Sequence, residues 1–270
     1  MKASVGRPLP IIVVVCLVVL AAGARAQQPG EDGGAVAAMN NGIAAFKVAR
    51  YQEAAVSFRM AALLDPTNEN AHLYLGTTYA VQFVPNLFTP ENLQIAESAL
   101  TEFDGVLKVH PGDLIAMKQE AAVYRNLQRY DQAMEMETKI AAIEPNNPEA
   151  FYIMGYVDWT RAYKSAIDAL IQDGLTDDGV GNAKMTHAAC EKLREQNMPL
   201  VEDGIASLTR AIELNPNYDD AMEYLQLAYR RHADFACGDE AARSADVKLA
   251  DRWAQKAIEV RKQAQIVPQK

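Results

Sequence analysis

The stretch AIELNPN at residues 211–217 closes an apolar, helix-spaced run with a proline. The same ending occurs three more times: ALLDPTN at 62–68, VLKVHPGD at 106–113 and IAAIEPNN at 140–147. Proline has no N–H and its ring clashes with the preceding turn, so each ending stops one helix and aims the chain into the next. Pro111 and Pro145 lie 34 residues apart, Pro66 and Pro111 lie 45 apart, and Pro145 and Pro216 lie 71 apart. A unit of 34 residues, lengthened by 11 in one case and by 37 in another, accounts for all three intervals.

Small and aromatic residues recur at fixed places ahead of each proline. In the second unit His72, Leu75, Gly76 and Tyr79, then Ala99 and Phe103, then Pro111 follow the pattern W-x2-L-G-x2-Y, A-x3-F, P. The first unit offers Gly42, Ala54, Phe58 and Pro66, the third Ala121, Tyr124, Ala133 and Pro145, and the fourth Gly155, Gly204, Leu208 and Pro216. The fifth, with Leu225, Tyr229, Ala250 and Ala254, lacks the closing proline. With this period and these slots the chain resembles the tetratricopeptide repeat family. The resemblance implies an all-α fold, a right-handed superhelical solenoid of about five helix hairpins. They fall near 35–68, 69–113, 114–147, 148–218 and 219–265, within a solenoid of residues 35–267. Three units carry inserts between their two helices: QFVPNLFTPEN in the second, 37 residues after GYVDWT in the fourth, and about 12 after LAYRRHADF in the fifth. Equivalent turns of stacked units share an edge, so the inserts are expected to gather there. The longest has helical patches, AYKSAIDALIQ and HAACEKLREQN, around an acidic turn-rich link; its plainer reading is that it only lengthens two helices.

Residues 1–26 read as a secretory signal, with Lys2 and Arg7, the apolar run LPIIVVVCLVVLAA and then Ala24-Arg25-Ala26. That run is short for a membrane span, so no stable span is expected after cleavage. Residues 27–34, QQPGEDGG, read as a flexible lead-in. Removing the signal takes away three of the 26 basic residues, leaving 23 against 35 acidic ones, a net charge of −12. With no basic cluster to neutralise phosphates, nucleic acid is not an expected partner. The protein is expected to be exported, periplasmic or extracellular.

Cys190 and Cys237 sit in adjacent inserts and form a candidate disulfide in an oxidising compartment. The competing arrangement is a zinc site of His187, Cys190, His232 and Cys237, for which the spacing is poor. No cofactor is expected. Glycine-rich phosphate loops, H-E-x-x-H and nucleophile elbows are missing from the sequence, which argues against an enzyme.

The resemblance instead implies a concave groove lined by the first helices and a protein or peptide partner. It places Lys118, Arg125 and Asn126 of the third unit on that surface, with Tyr152, Tyr156 and Trp159 of the fourth and Arg230 of the fifth. Tyr152, Tyr156 and Trp159 share one helix face by their spacing. Aromatics beside arginines suit a segment with apolar and acidic side chains; the plainer reading is that the rings pack under the long insert. Met39, Ile43, Tyr74, Ile115 and Gln119 stand where one subclass of the family carries a lysine and asparagine clamp for C-terminal carboxylates, so that mode is not expected. The function read from this is an interaction scaffold or adaptor in the cell envelope. The alternative is a structural subunit of an envelope or secretion assembly, marked by self-association or an exposed FVPNLF loop. The sequence leaves the oligomeric state open.

Overall fold

The computed structural model describes residues 32–266, and among them there are ten α-helices, one 3-10 turn and no strand. In chain order they follow as five consecutive pairs: α1 (Asp32–Lys47) and α2 (Tyr51–Leu64), α3 (Glu69–Gln82) and α4 (Pro90–Val109), α5 (Leu114–Asn126) and α6 (Tyr130–Ile143), α7 (Pro148–Gln172) and α8 (His187–Leu214), α9 (Asp219–Ala233) and α10 (Glu240–Ile266); four of these pack as hairpins, whereas α5 packs on α4 and α6 on α7. Residues 1–26, expected to be a signal, and residues 27–31 lie outside the described residues; Asp32, Gly33 and Gly34, expected in the lead-in, already belong to α1. No helix among the described residues is long and apolar enough to cross a membrane. The chain divides into two compact units, residues 1–129 and 130–270.

The recurring ending is one device repeated. The carbonyls of Asp65, His110, Glu144 and Asn215 accept hydrogen bonds from the N–H groups three residues on, those of Asn68, Asp113, Asn147 and Tyr218, at 3.0–3.1 Å. The proline stands second in each of these turns, where its fixed φ is already suitable. The residue closing the turn then starts the next helix. The side chains of Asn68, Asp113 and Asn147 accept from the N–H groups of Ala71, Ala116 and Glu149, each satisfying one of the orphan donors at a helix start. Thr89 and Thr186 cap α4 and α8 in the same way, and Pro90 and Pro148 occupy first-turn positions.

In the first unit, α1 and α2 meet where Gly42 faces the Phe58 ring, and α3 and α4 meet where Gly76 faces Phe103. A Cβ on Gly42 would lie 2.5 Å from Phe58, and one on Gly76 would lie 2.7 Å from Phe103, so each glycine makes room for a ring. Phe58 and Phe103 are fully buried, with Leu75 and Ala54 around the former and Ala96, Ala99 and Val123 around the latter. The loop between α3 and α4 is held by buried Asn92. Its side chain accepts from Val84 N–H at 2.9 Å and donates to the carbonyls of Val84 and Leu87 at 2.8 and 2.6 Å. Phe83 turns inward while Val84, Leu87 and Phe88 stay exposed.

In the second unit, α7 and α8 are longer than a standard repeat helix. The patches expected inside the long insert are the C-terminal half of α7 and the N-terminal half of α8, each continuous with its repeat helix, and Pro199 lies within α8. Only residues 173–186 remain as loop. Most of the fifth insert likewise becomes the first turns of α10, after a 3-10 turn at Asp234–Ala236. Ala162, Ala166, Leu193, Val201 and Phe235 form the core under these extensions. The outer face of α10 exposes Arg252, Gln255, Lys256 and Glu259 with Ile258.

The closest approach of α7 and α8 is at Gly155, where a Cβ would meet Leu208 Cγ at 2.4 Å and the Gly204 carbonyl at 2.9 Å. Beside it, Asp158 is buried. Burial, helped by the charge of Asp203 and opposed by Arg161, pushes its carboxyl up to about 7. Between roughly pH 4 and 7 the folded chain therefore keeps a proton that the unfolded chain has lost, and stability falls as pH rises through that window. Asp158→Asn is expected to be more stable than the parent at pH 8, by on the order of 2 kcal/mol, with the difference shrinking toward pH 5 in denaturant titrations. Gly155→Ala should cost about 1–3 kcal/mol because backbone stands in the way. Gly105→Ala, in an open helical position, should gain about 0.5–1 kcal/mol in the same titration.

Candidate interaction surfaces

The aromatic row of α7 is completed from α9. Tyr152 lies 5.0 Å from Tyr218 and 5.9 Å from Tyr224 between ring centroids; Tyr156 and Trp159 meet Tyr224 edge-on at 5.0 and 5.2 Å. Trp159 also stacks on Tyr163 at 5.1 Å. Tyr152 and Tyr224 are buried, whereas Tyr156, Trp159 and Tyr218 are half-buried and show part of their rings. Burial, reinforced by nearby carboxylates and tyrosines, pushes the hydroxyls of Tyr152, Tyr218 and Tyr224 well above the usual phenol range, so all three are neutral. The rings pack against α9, the first helix of the next pair, and not simply beneath the long insert. Tyr218 and Tyr224 were not among the residues picked from sequence; the signal for them was the same spacing logic applied to the fifth unit.

The arginines expected beside the rings are committed elsewhere. Arg230 donates to the Gly179 carbonyl at 2.7 Å, to Asp251 at 2.9 Å and to Gln226 at 2.9 Å. Arg231 is buried and donates to both oxygens of Asp177 at 2.8 and 3.0 Å; its Nη1 lies 3.1 Å from Asp234 Oδ2 as an ion pair without hydrogen-bond alignment. Lys118, Arg125 and Asn126 lie half-buried on α5, in the first unit.

Arg230 and Arg231 help to join the two inserts of the second unit. Cys190 and Cys237 are bonded to each other, with their Cα atoms 5.4 Å apart, across a sequence separation of 47. Asn182 donates to Asp234 at 2.8 Å and to Asp177 at 3.1 Å, Arg243 donates to the Val180 carbonyl at 2.7 Å, and His187 Nδ1 lies 3.0 Å from the Cys237 carbonyl. Burial works to raise the Asp177 carboxyl, but the charge and hydrogen bond of Arg231, with the Gly179 N–H and Asn182, outweigh it and hold the group below its ordinary value. Gly181 needs its φ of +92°, and a Cβ there would meet Arg243 Cγ at 2.7 Å and the Ala233 carbonyl at 2.8 Å.

This junction corrects the zinc alternative. A disulfide removes both thiolates that a tetrahedral site of His187, Cys190, His232 and Cys237 requires, and His232 is turned to Asp246 at 2.9 Å. Free-thiol titration of the unfolded, unreduced chain from Gln27 to Lys270, which leaves out Cys16, is expected to find no reactive cysteine. Replacing Cys190 and Cys237 by serine should cost about 2–4 kcal/mol, since the bridge closes a long loop of the unfolded chain. The same denaturant series, with and without reductant, measures it.

No protein-family model matches the sequence, and no curated protein matches it. Solved structures do. The MamA RS-1 ArsTM double mutant is similar with a TM-score of 0.58 at 18% sequence identity, over 88% of this chain and 99% of its own. The structure titled MamA 41-end from Desulfovibrio magneticus RS-1 has a TM-score of 0.57 at 18% identity, over 88% and 99% of the two chains. A further crystal structure of MamA protein has a TM-score of 0.56 at 15% identity, over 88% and 97%. MamA is a tetratricopeptide-repeat protein. The chain therefore has the all-α, helical-hairpin solenoid fold of the tetratricopeptide repeat.

Proposed function

We propose that the protein is a non-enzymatic protein–protein interaction scaffold of the cell envelope, which holds a partner segment against the first-helix face of its second unit. The observation that carries this reading is the aromatic cluster. Tyr156 and Trp159 are braced by buried neighbours, so their exposed ring faces are presented with little conformational entropy left to lose. The repeat fold supports it, because hairpin arrays offer extended surfaces without requiring a catalytic centre. Export is supported by the leader-like first 26 residues and by the bond between Cys190 and Cys237.

A second reading, a structural subunit of an envelope assembly, is favoured by one observation. The loop held by Asn92 exposes Phe88 at 54% and Val84 at 52% of their surfaces, an apolar tip with fixed backbone. A pull-down from solubilised envelopes separates the two. Tyr156→Ala with Trp159→Ala, checked for an unchanged melting temperature, is expected to reduce recovery of the partner roughly tenfold or more. Val84→Ser with Phe88→Ser is expected to leave it unchanged. The reverse pattern would establish the subunit reading and displace the scaffold.

A further inference from the structure

We infer that the segment held on the aromatic face of α7 and α9 is basic, carrying lysine or arginine side chains among apolar ones. The inference rests on the scaffold reading and reverses the acidic partner expected from sequence.

Of the arginines behind that expectation, Arg125 lies on α5 in the first unit, and Arg230, like its neighbours Arg231 and Arg161, is paired inside the second unit. Arg230 is bound to the loop carbonyl of Gly179 and to Asp251, Arg231 to Asp177 and Asp234, and Arg161 to Asp131 at 3.1 Å. Arg231 lies 5.7 Å over the Tyr163 ring, but with its charge already paired; at the Tyr218 and Tyr224 end of the row the charges are of the opposite sign. Asp220 acts on Tyr152, Tyr218 and Tyr224 together, Glu149 and Asp219 act further on Tyr218, and Glu223 acts on Tyr224; no cation is among the groups that shift these three hydroxyls. Arg261 is the cation that reaches these carboxylates. It hydrogen-bonds Asp219 at 2.7 Å and Glu223 at 2.9 Å and stands 3.9 Å from Asp220, whose side chain is 63% exposed. One guanidinium thus serves three carboxylates and leaves Asp220 without a hydrogen-bonded counter-ion.

Ring faces carry the negative end of the aromatic quadrupole, and tryptophan attracts a cation most strongly. A row that runs from Trp159 and Tyr156 to the half-buried Tyr218, two residues from exposed Asp220, offers ring contact and charge contact to one incoming segment. An acidic segment would meet like charge and no free guanidinium. The net charge of −12 on the chain from Gln27 onward acts in the same direction, drawing cations from a distance.

The test uses the chain from Gln27 to Lys270 with Trp253→Phe, so that Trp159 is the one tryptophan reporting. Three peptides of equal length and apolar content are titrated against its fluorescence: one with lysine and arginine, one with aspartate and glutamate, one with serine. The basic peptide is expected to bind at least about tenfold more tightly than the other two, and to weaken steeply with added salt. Asp220→Asn is expected to weaken it about three- to tenfold, Tyr156→Ala more, and Glu195→Gln, on an exposed face of α8, not at all. Preference for the acidic or serine peptide overturns the inference while leaving the scaffold reading in place. So does basic binding that Asp220→Asn and Glu195→Gln affect equally, because that would be unspecific attraction to an acidic protein. No binding by any peptide, with a pull-down unaffected by Tyr156→Ala and Trp159→Ala, removes both.

Discussion

A helix that ends inside a compact protein leaves carbonyls unsatisfied, and one that begins leaves N–H groups unsatisfied. Four times this chain meets both demands with four residues. A carbonyl at the helix end accepts from the residue three positions on, proline sets the bend between them, and in three cases that same residue turns its side chain back to cap the helix it begins. Because stop, bend and start are contiguous, little length variation is tolerated at these turns. All the inserted residues fall at the other kind of turn, between the two helices of a pair, where no such coupling operates.

Three of the pairs close on glycine against a bulky side chain. Gly42 with Phe58, Gly76 with Phe103 and Gly155 with Leu208 use one solution: removing a Cβ from one helix makes space for a large apolar group on its partner. Packing at this density explains why the slots are recognisable in sequence. Asp158 is buried beside the Gly155 crossing, and the loss of solvation there pushes its carboxyl up.

The inserts redirect charge. A loop of only 14 residues between α7 and α8 brings Asp177 and Asn182 to Arg231 and Asp234, and the bond between Cys190 and Cys237 fixes the other side of the same junction. A buried guanidinium needs compensating carboxylates, and the loop provides one of them. The consequence reaches the aromatic face: Arg230 and Arg231 are paired with groups of the junction, Arg231 while lying over the Tyr163 ring, and acidic groups gather at the start of α9.

The number of helix pairs, the positions of their turns and the three places of insertion were legible in the sequence, because a proline interval of 34, glycines opposite rings and capping residues are all local signals. The pairing of Cys190 with Cys237 was legible as a candidate, since two cysteines in neighbouring inserts admit one bond. Sequence spacing correctly put Tyr152, Tyr156 and Trp159 on one helix face. It did not reveal that Tyr218 and Tyr224 cross over to brace them, whereas the plainer reading of the long insert, that it lengthens two helices, is what α7 and α8 show. Helical periodicity reports which face a residue occupies and is blind to what lies opposite. The roles of Arg230 and Arg231 were decided by tertiary structure alone. An arginine's reach spans several turns, and its choice between a solvent-facing groove and a half-buried carboxylate 54 residues away depends on where the loop carrying Asp177 and Gly179 comes to rest.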